Sequence, residues 1–342
     1  TVFDRIVQQA IHQVLCPILD SSFSNNSYGF RPGCRGHDAV RRIRDCAREG
    51  YRWSIDIDLK SFFDKVPQAR ALEALRERLG GQGPVVSLIK RYLQAGYVEL
   101  GAYHDTLEGM PQGGPLSPLL SNLVLDALDT ELERRGHRFV RYADDFVVMV
   151  RSKRAAERVF ASLCTFIEGK LGLAINREKS AVRSVAELNY LGFRFHAGKI
   201  KVSEESLAGF KHRLKALSNR NWSVSADYRM SQIRQYIRGW MGYFGLSEVY
   251  RIWLPIDGWL RRRLRMCYWR MWKRPKRRYL NMRKLGAKHN EAAGFARSSK
   301  GFWRVAKHLG HKAGMTNEWL ANEGLIEIKQ QWWNVKFLRI TA

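Results

Sequence analysis

From the start of the chain, Phe3, Ile6, Val7, Ala10, Ile11, Val14 and Ile18 recur every three or four positions, the spacing of one helix face. Residues 1–49 read as two amphipathic helices joined by the polar loop SSFSNNSYGFRPGCRG, the second ending at Gly50. In RWSIDIDL the period shortens to two. Trp53, Ile55, Ile57 and Leu59 alternate with Ser54, Asp56 and Asp58, so a strand carries both carboxylates on the face turned from the core. Helices are expected near 68–79 and 84–95, a short hairpin across 97–107, and an apolar helix from about 116 to 135 behind PQGGPLSP. RFVRY and FVVMV then form two strands whose connection, ADD, is mostly aspartate. A helix near 153–170 and short strands near 188–202 complete a mixed α+β unit. From about 204 onward the pattern is helical, rich in Trp, Tyr, Arg and Lys, and strand signals vanish.

Composition adds a partner. The 342 residues are 45% hydrophobic, enough for a sizeable core and for two or three domains. Lys and Arg number 59 against 32 Asp and Glu, and a net charge of +27 repels itself unless a polyanion lies alongside; nucleic acid is the expected one. Residues 261–278, RRRLRMCYWRMWKRPKRR, hold ten basic residues and no acidic one, with Tyr268, Trp269 and Trp272 between them. No apolar run approaches the roughly 20 residues that span a bilayer, so no membrane association is expected. Five cysteines, odd in number and without a CxxC pair, read as thiols of a reducing compartment rather than zinc ligands. No signal peptide opens the chain, and a start at Thr1, inside a helix, predicts an upstream segment beyond this sequence.

Transfer of a nucleotidyl group calls for two divalent cations about 4 Å apart, one at the attacking hydroxyl and one at the leaving pyrophosphate. Mg²⁺ keeps several waters and takes few protein ligands, so two or three aspartates at neighbouring strand ends suffice. Asp58, Asp144 and Asp145 supply them. A lone pair of aspartates in a turn is ordinary, because Asp favours turns. Apolar strands on both sides change the weighting, since adjacent carboxylates repel unless a cation sits between them.

Tyr142-Ala143-Asp144-Asp145 resembles the YxDD box of reverse transcriptases, in the YADD form of group II intron enzymes and their bacterial relatives. NNSYGFRPG, DIDLKSFFD, PQGGPLSP, LGLAINREKS and NYLGFRF resemble the family's other boxes in the same order, across nearly all of residues 1–200. The resemblance implies two Mg²⁺ ions held by Asp58, Asp144, Asp145 and the carbonyl of Leu59, with Asp56 outside that set and Asp64 anchoring the turn into the next helix. It makes Phe63 a steric gate against ribose, and it places Gln112, Gly113, Tyr142 and Ala143 at the incoming nucleotide. Lys179 takes the side of the leaving pyrophosphate. Arg31 is implied as a template or phosphate contact, and Leu191 and Gly192, followed by Phe193, as the primer grip. Each has a plainer reading: core aromatic for Phe63, surface lysine for Lys179, ordinary turn for PQGG, buried hairpin for LGF.

IRGWMGYFGLSEVYRIWLPIDGWLRRRLRMCYWRMWKRP resembles the maturase domain that serves these enzymes as a thumb, and the tail resembles the bacterial class C type. Ile237, Trp240, Met241 and Phe244 should face a helical core. Arg261, Arg262, Arg263, Arg265, Arg270, Lys273 and Arg274 are implied as contacts to RNA or DNA, while the WxxW of Trp269 and Trp272 is more commonly a core spacing than a stacking platform. The expected architecture is α+β: right-hand polymerase fingers and palm over residues 1–203, lacking a basic N-terminal finger segment, an all-α thumb (maturase domain X) over 204–278, and a small basic DNA-binding-like module over 279–342. No nuclease with paired cysteines follows, so second-strand priming would rely on existing nicks or replication forks. The implied partners are group II intron RNA, RNA template with DNA primer, target DNA and deoxynucleoside triphosphates, in a bacterial cytoplasm near the nucleoid. Two other readings stay open: a domesticated defence- or CRISPR-associated reverse transcriptase, and a non-catalytic RNA-binding splicing factor. Intact Asp58, Asp144 and Asp145 weigh against the last.

Overall fold

The computed structural model describes residues 2–99, 102–104, 106, 108–110, 113–312 and 314–337. It divides into two units, Thr1–Gly198 and Lys199–Ala342.

The first unit begins with the two expected helices, α1 (Val2–Asp20) and α2 (Gly36–Arg48). The strand β1 (Trp53–Ile57) follows, then the short α3 (Phe62–Lys65), α4 (Gln68–Leu79) and α5 (Pro84–Gln94). Pro84 begins α5, where its missing N–H costs nothing, and Gly80 ends α4 at φ 77°. A small hairpin of β2 (Tyr97–Glu99) and β3 (Ala102–His104) leads to α6 (Ser117–Arg134), β4 (Arg138–Tyr142) and β5 (Asp145–Val150). α7 (Lys153–Phe166) is capped by the Ser152 hydroxyl, runs into one wider π-type turn, Ile167–Leu171, and stops at Gly172. β6 (Ala181–Ser184) and a hairpin of β7 (Asn189–Tyr190) and β8 (Phe193–His196) close the unit.

Four strands form one sheet in the order β4-β5-β1-β6, with every neighbouring pair antiparallel. Ile55, Ile57, Phe139, Phe146 and Val148 are buried with Leu120, Leu123, Leu128, Leu163 and Ile167 in one apolar core. α7 packs on β1, β5 and β6, and α6 packs against β4 and α4. The sheet alternates as its sequence requires, with Asp56 and Asp58 only half-buried while Ile55 and Ile57 are closed off. Ser54 breaks the alternation: it is buried, and its hydroxyl donates to the Arg183 carbonyl at 3.1 Å.

The second unit opens with β9 (Lys199–Val202), and its helices are α8 (Glu204–Leu217), α9 (Ala226–Phe244), α10 (Trp253–Met271), α11 (Pro275–Lys284), α12 (His289–Ala296), α13 (Phe302–Ala306), α14 (Leu309–Lys312), α15 (Asn317–Asn322) and α16 (Ile328–Phe337). Ser203 and Ser225 cap α8 and α9 with their hydroxyls. Ile237 and Met241 are buried as expected, and Trp240 stacks between Phe210 and Phe244 at 4.1 and 4.3 Å. Trp269 is 1% exposed, which makes it a core residue and not a stacking platform.

Residues 279–342 were expected as a separate module. Their described part, 279–312 and 314–337, instead shares one core with the rest of the unit: Met282, Leu309, Leu320 and Trp332 bury together with Trp253, Ile256 and Leu260. The Asp257 carboxylate ties α10 to the start of α16, accepting from the backbone N–H groups of Ile328 and Lys329 at 2.8 and 3.0 Å. Small, mutually dependent helices cannot each bury an apolar face alone, so they pool one. Among the described residues, no helix is long and apolar enough to cross a membrane.

Candidate active site

In the sheet, Asp56 lies opposite Val147 and Ile57 opposite Phe146. Extending that register by one residue past the end of β1 brings Asp58 opposite Asp145. In the neighbouring hairpin Tyr142 pairs with Asp145, so only Ala143 and Asp144 form its loop. The first of these has φ 60° and the second does not have positive φ, the pattern of a type II′ turn, whose first central position usually takes glycine. Three aspartates thus meet at the ends of adjacent strands.

Their main chains are fixed from several sides. The Asp58 N–H donates to the Ser180 hydroxyl at 3.0 Å, and its carbonyl accepts from Asn176 N–H at 2.8 Å. Leu59 bridges to Ile175, and the Asp145 carbonyl accepts from the Tyr190 hydroxyl at 3.1 Å. Although Asp145 opens to solvent, the protein around it disfavours charge, and Asp56, Asp144 and Asp58 add repulsion; together they push its carboxyl up to about 6. Asp56 is also pushed up by burial, against the pull of Arg183, whose Nη2 lies 3.5 Å from its Oδ2. Asp56 is the strongest of the acidic neighbours acting on Asp145, so four carboxylates gather here, and Asp56 is the one with an arginine partner. Among the described residues, no three His, Cys, Asp or Glu side chains form a ready-made metal cage. The donor set still suits Mg²⁺, which takes hard carboxylate oxygens, few of them from protein, and completes its shell with water and substrate phosphate.

The other predicted site residues divide. Phe63 is half-buried in α3, edge-on to Phe62 at 5.4 Å, and its carbonyl accepts from Met110 N–H at 2.7 Å. Gly109 packs so tightly there that a Cβ would lie 2.5 Å from the Asp64 carbonyl oxygen. The loop after β3 is therefore moored to α3 just before Gly113, which is exposed, has φ 81° and accepts from Arg5 at 3.0 Å. Gln112 lies outside the described residues. Lys179 is exposed and precedes Ser180, the hydroxyl partner of Asp58. Leu191 and Gly192, at φ 49° and 78°, are the two loop residues between Tyr190 and Phe193, a type I′ turn in β7-β8.

Arg31 sits differently from its expected role on the template. Its guanidinium donates to the Asp20 carboxylate at 2.7 Å and to the carbonyls of Ser27 and Asp20 at 2.9 and 3.0 Å, pinning the end of α1 to the loop that follows. The arginines expected on nucleic acid along α10 split the same way. Arg261 pairs with Glu327 at 2.9 Å, and Arg262 donates to the Trp303 carbonyl at 2.8 Å with its guanidinium 3.9 Å from that ring's centre. Arg263 donates to the Lys215 and Ser218 carbonyls at the end of α8, at 3.0 and 3.1 Å, and Arg265 to Met315 O and Asn317 Oδ1, both at 2.8 Å. A helix that must bury Leu260, Leu264 and Tyr268 carries arginines on its flanks, and their long stems bring the charged heads to orphan carbonyls. Arg270, Lys273 and Arg274 are exposed, as are Lys276 and Arg277. Within this unit a cavity of about 490 Å³ is lined by His212, Lys215, Arg220, Arg263, Met266 and Trp303.

Sequence reasoning passed over Arg141, Asp129, Asn122, Gly29 and Tyr190, which lie directly behind the aspartate turn. The signal was present: an arginine inside an apolar strand, and an aspartate within the apolar run of α6. Charged residues are almost never fully buried unless paired.

Residues 1–195 match the family model described as reverse transcriptase (RNA-dependent DNA polymerase), and residues 207–286 the one described as group II intron, maturase-specific domain. Protein YkfC of Escherichia coli K12 is 30% identical over 270 residues, covering 68% of this chain and 70% of its own. The group II intron-encoded protein LtrA of Lactococcus lactis subsp. cremoris is 28% identical over 260 residues, and there the match covers 56% of this chain but only 43% of the relative. Among solved structures, apo telomerase from Candida tropicalis aligns over 95% of this chain and 61% of its own with a TM-score of 0.50 at 14% identity, a likeness of fold.

Proposed function

The chain belongs to the reverse transcriptase family of RNA-dependent DNA polymerases, and from that membership we propose that it extends a DNA primer on an RNA template in the service of a group II intron. The observation that carries the site is the meeting of Asp58, Asp144 and Asp145 at adjacent strand ends, with Asp145 pushed up to about 6 by burial first and then by Asp56, Asp144 and Asp58. Like charges gathered this way call for a cation.

In the proposed reaction the primer 3′-hydroxyl attacks the α-phosphorus of a deoxynucleoside triphosphate; a P–O bond forms, the bond to the β-phosphate breaks, and pyrophosphate leaves with the hydroxyl proton passed to the surroundings. Two Mg²⁺ ions, when bound, neutralise charge at the hydroxyl and at the pyrophosphate. Asp58, Asp144, Asp145 and the Leu59 carbonyl would hold them. Phe63 would bar a 2′-hydroxyl by presenting a ring held on α3, and the backbone of Gly113, with Gln112, Tyr142 and Ala143, would line the nucleotide. Lys179 would give a proton to the pyrophosphate. Leu191 and Gly192 would hold the primer end.

Intron RNA is the proposed ligand of the second unit, supported by the maturase-specific match and by the exposed Arg270, Lys273 and Arg274. Target DNA is a further partner, and the proposed setting is bacterial cytoplasm near the nucleoid. The match to the maturase-specific model favours this reading over a defence-associated enzyme.

Primer extension by the full chain on poly(rA)/oligo(dT) with dTTP tests the proposal. Synthesis should require Mg²⁺, stop with EDTA, and fall at least about a thousandfold in Asp144→Ala, the order of effect expected when a metal ligand is lost. RNA binding should survive in that variant. Synthesis at the parent's rate by Asp144→Ala would overturn the site.

A further inference from the structure

Behind the aspartate turn lies a fully buried polar network. Arg141 and Asp129 are both 0% exposed. Arg141 Nε donates to both Asp129 carboxylate oxygens at 2.9 and 3.0 Å, and Nη2 donates to one of them at 2.6 Å. Buried pairs of this kind can often be replaced by apolar residues without loss of stability, so their use points to a task besides stability.

The remaining bonds show where that task lies. Arg141 Nη1 donates to the carbonyl of Ala143 at 2.9 Å and to Asn122 Oδ1 at 2.8 Å. Asn122 Nδ2 in turn donates to the Gly29 carbonyl at 2.8 Å. Gly29 presses on the preceding peptide of the same residue, Tyr142–Ala143, where a Cβ would lie 2.1 Å from Ala143 N and 2.9 Å from Tyr142 C. The segment carrying Gly29 is itself laid along β4, with Tyr28 N–H donating to Arg141 O at 2.8 Å and Arg141 N–H to Asn26 O at 2.9 Å.

Ala143 therefore sits between a hydrogen bond on its carbonyl and a glycine backbone against its amide, at a φ of 60° that a side chain disfavours. A strained turn persists only where its surroundings over-determine it. We propose that Arg141, oriented by Asp129 and Asn122 and opposed by the bare backbone of Gly29, is a positioning residue that holds the Ala143 peptide and so aims the carboxylates of Asp144 and Asp145. This rests on the metal-binding reading of those aspartates and names what sets their geometry.

The test uses the full chain and Mn²⁺ as a paramagnetic probe. Arg141→Lys keeps a charge for Asp129 but cannot serve Asn122 and Ala143 together, and Gly29→Ala pushes on the turn without removing any network side chain. Both should fold, by circular dichroism and cooperative melting. Each should bind Mn²⁺ about tenfold or more weakly by electron paramagnetic resonance, and lower kcat about tenfold or more with the dTTP KM within about twofold, the scale seen when groups supporting metal ligands are altered. Folded variants with the parent's Mn²⁺ affinity and kcat would overturn the inference. So would loss of folding in both, which would make the network a scaffold and not an aiming device. A parent chain that binds no Mn²⁺, or binds it equally after Asp58→Ala and Asp144→Ala, would sink the metal reading itself, a different result from an intact site indifferent to Arg141.

Discussion

In residues 1–198 the deepest charges are one matched pair, Arg141 and Asp129, sealed behind an acidic turn, whereas in residues 199–342 the arginines of α10 lie at the rim of the core and give their donors to carbonyls. One unit closes a whole ion pair off from water behind its proposed site. The other ties short helices together with charged groups that hold backbone, the α10 arginines at the edge of its core and Arg229 and Asp257 within it at 3% and 5% exposure. The contrast teaches that a net charge of +27 measures appetite for nucleic acid without saying which arginines satisfy it.

The sharpest way to break this comparison is to remove one partner on each side. Asp129→Ala leaves a guanidinium unpaired at 0% exposure and should cost about 3–5 kcal/mol of the first unit's stability. Glu327→Ala, at a pair whose acid is 47% exposed, should cost no more than about 1 kcal/mol. Urea unfolding of both variants checks it. Equal losses would mean that the two units treat charge alike.

A smaller effect is expected at the nucleotide. Phe63→Ala should cut discrimination against ribonucleotides by about 10- to 100-fold, since a steric exclusion of one small group is worth about 1–3 kcal/mol. The ratio of kcat/KM for dTTP and UTP measures it. An unchanged ratio would return Phe63 to the role of core aromatic against Phe62, and would leave the aspartate turn as the whole of the first unit's chemistry.

The chain announced these two regions unequally. The period of two in RWSIDIDL and the pair of strands around Ala143-Asp144-Asp145 gave away the sheet and the three aspartates, because a half-buried strand must alternate and a tight hairpin must put its loop residues at the end. The supports of the turn were silent. Asp129 and Arg141 lie 12 residues apart on different elements, and Asn122 reaches Gly29 across 93 residues, distances over which no local period carries information. In the second unit the helices and the buried Ile237 and Met241 were legible from spacing. The fusion of α11 to α16 into that core was not, since each helix is short and its apolar face meaningful only once its neighbours are placed. Arginine alone also hides its role: the same side chain reads identically whether it will meet a phosphate or a carbonyl.

That ambiguity yields the smallest and most discriminating expectation. Arg270, Lys273 and Arg274 are exposed, whereas Arg261, Arg262 and Arg263 have partners within the protein. Binding of structured RNA releases counterions in proportion to the phosphates contacted, so each lost contact lowers the slope of log K against log salt by roughly 0.7–0.9. Replacing Arg270, Lys273 and Arg274 by alanine should flatten that slope by about 2–3 units, roughly 0.7–0.9 for each of three contacts. Replacing Arg261, Arg262 and Arg263 should lower the melting temperature of the helical unit and leave the slope within about half a unit, because their donors already serve Glu327, Trp303 and the end of α8. Filter binding across a salt series separates the two triplets. If the inner triplet carried the slope, those guanidinium groups would have to abandon Glu327 and the carbonyls they hold for phosphate when RNA binds, and the division between structural and ligand-facing charge would fail in the half of the molecule where it is drawn most finely.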